Sequence, residues 1–213
     1  MSPNALPKLY PITDMRLSGL PHAEQVARLS RGGASLIQLR EKNLSPREFY
    51  REAEQALLVA RDCGARIIIN DRVDIALALG ADGVHLGQED LDAESARRLL
   101  GEAAIIGFST HNIEQAIEAA RQPLDYLAIG PIFSTTSKEN PDPEIGLETL
   151  RRVRAALPRA LPLVAIGGIT RTNARAALEA GADVVAVIGD LVGGDASLIA
   201  SRTREFLEIL SQI

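Results

Sequence analysis

The chain has one cysteine and no tryptophan, and aromatic residues make up only 3% of its 213 positions. A lone cysteine, Cys63, excludes an intrachain disulfide and suits a reducing compartment. It falls where a helix should end, just before Gly64, so a buried or inert thiol is expected there rather than a nucleophile. Scarce aromatics argue against stacking platforms for single-stranded nucleic acid. Positive charge is not in excess either: 23 Lys and Arg against 28 Asp and Glu give a formal net charge of −5. With no basic stripe, neither nucleic acid nor an anionic membrane is an expected partner. No apolar run approaches the roughly 20 residues of a membrane span. Residues 1–9 show no basic segment leading into an apolar one, so no secretory leader is expected and the expected location is cytoplasmic.

What is present is a regular alternation. Apolar runs at 8–13, 35–39, 66–69, 82–86, 104–108, 126–129, 163–166 and 184–188 predict strands, most of them apolar throughout, as strands covered on both faces are. Helical patterns follow each, at 21–32, 45–64, 71–79, 92–100, 112–120, 147–157, 172–180 and 196–209. Ser45-Pro46 and Asn112 are start signals, and Gly64 and Gly80 are stops. Gly-Ala-Asp recurs at Gly80-Ala81-Asp82 and Gly181-Ala182-Asp183, each time feeding the next strand. Eight strand–helix units predict an α/β protein, a single (β/α)8 barrel domain over residues 1–213, shorter than the roughly 250 residues usual for one. An open doubly wound sheet is the alternative, but no Gly-x-Gly-x-x-Gly turn follows the first strand.

The reactive side chains cluster just after these strands, and in a parallel barrel strand C-termini share one mouth. Asp71 and Asp90 follow strands three and four, so their carboxylates can approach one hard cation, for which Mg²⁺ is the natural choice. Each alone would better suit a helix N-cap, and it is the pairing at neighbouring strand ends that favours a metal. Arg40 and Lys42, within Gln38-Leu39-Arg40-Glu41-Lys42, supply a fork and a point charge for phosphate oxygens. The long loop after strand six carries four consecutive hydroxyls, Ser134 to Ser137, and then Lys138. Gly167-Gly168 and Ile188-Gly189 follow strands seven and eight, where barrels often bind phosphate on backbone amides. Asp190, inward, would repel an anion, so it is expected to point away. Ser109 is expected to hydrogen-bond substrate rather than act as a hydrolase nucleophile, since no Asp-His-Ser relay can be argued from spacing. With three histidines in all, a zinc site is not expected, and His85 and His111 have structural readings.

Taken in order, these motifs resemble the thiamine phosphate synthase (thiamine-phosphate pyrophosphorylase) family. The resemblance rests on Gln38-Leu39-Arg40-Glu41-Lys42, Asn70-Asp71, the run ending Gln88-Glu89-Asp90, Ser109-Thr110-His111, Gly130-Pro131-Ile132-Phe133 with Thr135 to Lys138, and Ile166-Gly167-Gly168-Ile169. It implies a barrel transferase that joins a hydroxymethylpyrimidine diphosphate to the nitrogen of a (carboxy)hydroxyethylthiazole phosphate, releasing diphosphate. Position by position it implies that Gln38, Leu39, Arg40, Glu41, Lys42, Asn70, Ser109 and Lys138 contact the pyrimidine diphosphate. Of these, Arg40, Ser109 and Lys138 would carry catalysis. Thr135, Thr136, Ser137, Gly168, Ile188 and Gly189 would hold the thiazole phosphate, and Asp71 and Asp90 one Mg²⁺ per subunit. Ser134 stands where the family often has Pro, Ser137 where it has Thr, and Gly189 where it commonly has Ser; the last removes a hydroxyl contact. Asp71, Asp90 and Lys138 together favour the transferase over a thiazole tautomerase-like relative or a non-catalytic phosphate-binding barrel. Small-molecule substrates are the expected partners, and the sequence leaves a homo-oligomer open.

Overall fold

A computed structural model describes residues 6–135 and 142–212. Its strands are β1 (Leu9–Thr13), β2 (Leu36–Leu39), β3 (Arg66–Asn70), β4 (Gly83–Leu86), β5 (Ile105–Thr110), β6 (Tyr126–Ile129), β7 (Leu163–Ala165) and β8 (Val184–Val187). They pair in parallel in chain order and close where β8 meets β1, with Tyr10 opposite Ala186. The helices are α1 (Met15–Ser18), α2 (His22–Arg31), α3 (Pro46–Cys63), α4 (Val73–Leu79), α5 (Ala93–Leu100), α6 (Ile113–Ala119), α7 (Gly146–Ala156), α8 (Ala174–Glu179), α9 (Gly189–Val192) and α10 (Ile199–Ser211). The expected (β/α)8 barrel is what forms. Among the described residues no helix is long and apolar enough to cross a membrane.

Start and stop chemistry explains the helix boundaries. Ser45 and Glu48 close a reciprocal capping box at α3 with Pro46 in the first turn, and Gly64, at φ 70°, ends it. Asn112 caps α6 through the amide of Gln115. Cys63, the last residue of α3, is exposed rather than buried, because the terminal turn faces solvent there. Two four-residue helices, α1 and α9, are additions to the predicted elements, and the first three residues of the helix expected at 196–209 form a 3₁₀ turn, Ala196–Leu198, ahead of α10.

Strand side chains alternate between two cores. One set, including Leu39, Ile67, Ile69, Val84 and Val185, faces the helices. The other, including Tyr10, Ile12, Leu36, Ile68, Tyr126 and Val164, fills the barrel. Glycine makes room inside: a Cβ on Gly107 would stand 2.0 Å from Tyr126 Cζ, and one on Gly83 1.9 Å from the Ile105 carbonyl oxygen.

At the barrel's lower rim the aspartate of each Gly-Ala-Asp repeat closes a backbone. Asp82 accepts from Ile67 N at 2.7 Å and Asp183 from Leu163 N at 2.8 Å. Asp125 does the same for Ile106 N at 2.8 Å.

Candidate active site

Alternation decides which side chains reach the mouth. Gln38, Asn70, His85 and Ser109 share the inward parity of Tyr10 and Leu36 and lie at the upper ends of their strands. With Ile12, Arg40, Lys42, Asp71, Asp90 and His111 they line a basin of about 510 Å³. Leu39 has the opposite parity and lies fully buried against the helices, so its side chain is not in the basin. Glu41 is also elsewhere: one carboxylate oxygen accepts from the amides of Lys42, Asn43 and Leu44 at 2.8, 2.6 and 3.3 Å. Its other oxygen lies 3.6 Å from Nε2 of the buried His22. Glu41 thereby shapes the turn that presents Arg40 and Lys42.

Asp71 and Asp90 are brought together, and neither is a helix cap. Asp71 adopts φ 61°, a left-handed conformation that Asp tolerates better than most residues. Its amide donates to the His85 carbonyl at 2.8 Å, and the residue capping α4 is Arg72. Asp90 Oδ2 accepts from Gly87 N at 2.7 Å, while Asp92 caps α5. Burial, the hydrogen bond and charge of Asp71 adding to it, raises the Asp90 carboxyl above its ordinary pKa, against the Gly87 amide and the Lys42 charge. The Lys42 ammonium pairs with Asp71 Oδ2. Among the described residues no group of three or more His, Cys, Asp or Glu is placed to hold a metal. Two carboxylates suffice for Mg²⁺, which keeps waters and takes phosphate oxygens for the rest. Hard oxygen donors, and a carboxyl whose negative charge lacks full compensation, fit that ion.

The sequence reading did not single out Asp14, although it follows β1. Its Oδ2 accepts from Arg40 Nη1 at 3.0 Å and its Oδ1 caps α1 through Leu17 N at 2.9 Å. Arg40 is thus aimed by a buried carboxylate. His111 Nδ1 lies 2.8 Å from the Gly130 carbonyl oxygen, and Gln88 Nε2 donates to the Ser109 carbonyl at 2.6 Å.

Beside the basin, a second pocket of about 240 Å³ is lined by Ser134, Thr135, Gly167, Gly168, Ile188 and Gly189 among others. Ile166 and Ile188 line both spaces, so one apolar wall separates a charged compartment from one built of glycines and hydroxyls. Gly168, at φ 64°, lies so close to the preceding loop that a Cβ would come within 2.4 Å of the Ser134 carbonyl oxygen. Asp190 is among the residues lining this pocket, and both of its carboxylate oxygens are turned to Arg171. Its charge is met by Arg171, whose Nε and Nη2 donate at 3.0 and 3.1 Å, so the anion repulsion anticipated for it is offset. Thr136, Ser137 and Lys138 lie outside the described residues.

A family model described as thiamine monophosphate synthase matches residues 9–191. A thiamine-phosphate synthase of Koribacter versatilis is 46% identical over 212 residues, covering 96% of each chain. One of Chloroflexus aurantiacus is 42% identical over 206 residues, covering 96% of this chain and 94% of its own. The solved structure of a thiamine phosphate pyrophosphorylase from Pyrococcus furiosus superposes with a TM-score of 0.84 at 40% identity, covering 96% of both chains.

Proposed function

This chain belongs to the thiamine monophosphate synthase family, and on that premise we propose that its two adjoining pockets are the two substrate sites of the reaction. Its function is thiamine phosphate synthesis, a transfer with diphosphate as leaving group, and its substrates are small molecules. The charged basin would take the pyrimidine diphosphate, through Gln38, Arg40, Lys42, Asn70, Ser109 and Lys138. The glycine pocket would take the thiazole phosphate, through Thr135, Thr136, Ser137, Gly168, Ile188 and Gly189. The observation that carries this assignment is that Ile166 and Ile188 line both spaces: the two pockets adjoin at these side chains, so the pyrimidine methylene carbon and the thiazole nitrogen would face each other at that shared border.

Asp71 and Asp90 would hold Mg²⁺. When bound, that ion offsets the negative charge gathering on the departing diphosphate. Arg40, aimed by Asp14, and Lys42 would add fixed positive charge to the same oxygens, the role that the family resemblance gives Lys138 as well. The bond between the pyrimidine methylene and its phosphate oxygen breaks, and the thiazole nitrogen forms the new carbon–nitrogen bond. The amino-pyrimidine ring can spread positive charge at that methylene, which favours a dissociative path. The thiazole nitrogen already has its lone pair, so no side chain acts as a strong base. Orientation is the other contribution, where effective molarities of about 10⁵ M or more are attainable.

We also take residues 1–213 as one domain, cytoplasmic, without a nucleic-acid or membrane partner. The strand order closing between β1 and β8 and the acidic net charge support this. The test of the site is diphosphate release on mixing both substrates with Mg²⁺. Asp90→Asn should lower turnover on the order of 10²-fold. Undiminished Mg²⁺-dependent release in both Asp71→Asn and Asp90→Asn would overturn the metal assignment.

A further inference from the structure

Five side chains form a continuous hydrogen-bonded chain through the barrel interior beneath the basin. Gln38 Nε2 donates to the Tyr10 hydroxyl at 3.1 Å, and the Tyr10 and Tyr126 hydroxyls are 2.9 Å apart. The Tyr126 hydroxyl lies 2.9 Å from His85 Nδ1, and His85 Nε2 lies 2.8 Å from Ser109 Oγ. Both tyrosine rings are buried, the His85 ring stacks on Tyr126 at 5.5 Å, and Tyr10 meets Tyr126 edge-on at 5.7 Å. Burial raises both hydroxyls well above the ordinary tyrosine pKa, so each keeps its single proton.

One proton per hydroxyl gives the chain a direction. Tyr10 receives a proton from the Gln38 amide, so its own points to Tyr126. Tyr126, receiving that one, donates to His85 Nδ1. His85 is then the tautomer carrying its proton on Nε2, and it donates to Ser109 Oγ. Ser109 has its own proton left to give, and Gln38 has its amide oxygen left as an acceptor. The two ends of the chain therefore face the basin with opposite polarity. If the Gln38 amide were turned over, every link would reverse and both ends would change sign together.

We propose that Tyr10, Tyr126 and His85 are positioning residues that set this polarity, and so make the basin specific for a ring with an amino donor beside an aza acceptor. This rests on the basin being the pyrimidine site: the amino group would donate to Gln38 Oε1 while the adjacent ring nitrogen accepts from Ser109. A pyrimidine lacking the amino group, or carrying a keto group in its place, would leave an end of the chain unpaired, which costs affinity.

Two measurements test it. In wild-type protein labelled with ¹⁵N-histidine, long-range ¹H–¹⁵N correlations at pH 7.5 should report His85 as the Nε2–H tautomer, its signals assigned by their loss in His85→Gln. An Nδ1–H tautomer would overturn the proposed polarity, and this reading needs neither substrate nor a variant that folds. The second compares binding of the aminopyrimidine diphosphate, its des-amino analogue and the thiazole phosphate, each with Mg²⁺, to wild type and Tyr126→Phe. The variant should lose about 10-fold in affinity for the amino compound and nothing for the thiazole phosphate, narrowing the gap between amino and des-amino compounds. An unchanged ratio between those two would overturn the specificity role. Failure of the wild type to bind the aminopyrimidine diphosphate at all would overturn the proposed function instead, and with it the ligand, leaving the tautomer result to stand alone.

Discussion

At Asp71 a single backbone angle and a single charge can be separated. Its φ of 61° is accessible to Asn about as well as to Asp, and costs other residues roughly 1–2 kcal/mol. Asp71→Asn should therefore abolish calorimetric Mg²⁺ binding in the presence of pyrophosphate while leaving the thermal midpoint unlowered. Asp71→Ala should lose the binding and about 1 kcal/mol of stability as well. Gly168 is the counterpart in the glycine pocket. A Cβ there meets the Ser134 carbonyl at 2.4 Å in a left-handed backbone, so Gly168→Ala should raise KM for the thiazole phosphate about 10-fold or more and leave KM for the pyrimidine diphosphate nearly unchanged. Lys138→Ala separates differently: turnover should fall far more than thiazole-phosphate affinity, and equal losses would mean simple anchoring. Residues with charge at strand ends were legible from sequence because position in a barrel implies convergence. Asp14, just past β1, carries that same strand-end signal and was not picked out; Tyr10 and Tyr126 were not either, and their signal is a different one. A polar tip inside an otherwise apolar parallel strand must find a partner, and Tyr10, Gln38, His85 and Tyr126 are four such tips. Leu39 was misplaced for the converse reason: motif membership says nothing of parity, and a period of two turns it away from its neighbour Gln38.

At the scale of elements, legibility followed burial and capping. Strands covered on both faces appear as apolar runs, so all eight were found, with ends shifted by at most two residues. α1 and α9 escaped because four residues are too few for any helical periodicity to register. The start of α3 was plain in Ser45-Pro46, and its energetics can be tested. Ser45→Ala should cost about 1 kcal/mol in urea denaturation. Glu48 completes the box, and its pKa is lowered by hydrogen bonds from the Ser45 hydroxyl and amide. A carboxyl lowered on folding contributes stability that is present above its unfolded pKa, about 4.3, and fades as pH falls through the folded value. The gap in urea midpoint between wild type and Glu48→Gln should accordingly be larger at pH 7 than at pH 3. A constant gap would mean that the carboxylate's charge contributes nothing to the cap.

Over the whole molecule the barrel separates two tasks by height. The mouth gathers charge at a cost in local stability, as the raised Asp90 pKa and the left-handed Asp71 both indicate. The opposite rim is where polar groups hold the strands in register. The buried Arg154 donates to Asp183 at 3.1 Å and to the carbonyls of Leu157, Pro158 and Leu161 at 3.2, 2.6 and 3.1 Å. Asp183 in turn accepts from Leu163 N, tying α7, β7 and the entry to β8. The repeated Gly-Ala-Asp was visible in the sequence as a helix stop, but the aspartate's task was not, because its partner lies on the preceding strand some 20 residues back. Asp183→Ala removes the carboxylate facing Arg154, which keeps its carbonyl acceptors, and leaves the Leu163 amide without its acceptor, which should cost about 1–3 kcal/mol. Asp183→Asn keeps the acceptor for Leu163 N and should cost less. Because the rim is a barrel's length from the basin, neither change should move KM for either substrate at a temperature where the protein stays folded. Urea denaturation and steady-state kinetics on the same preparations check both halves. A shift in KM without a loss of stability would mean that the lower rim and the mouth are coupled through the strands, contrary to the division of tasks that the packing supports.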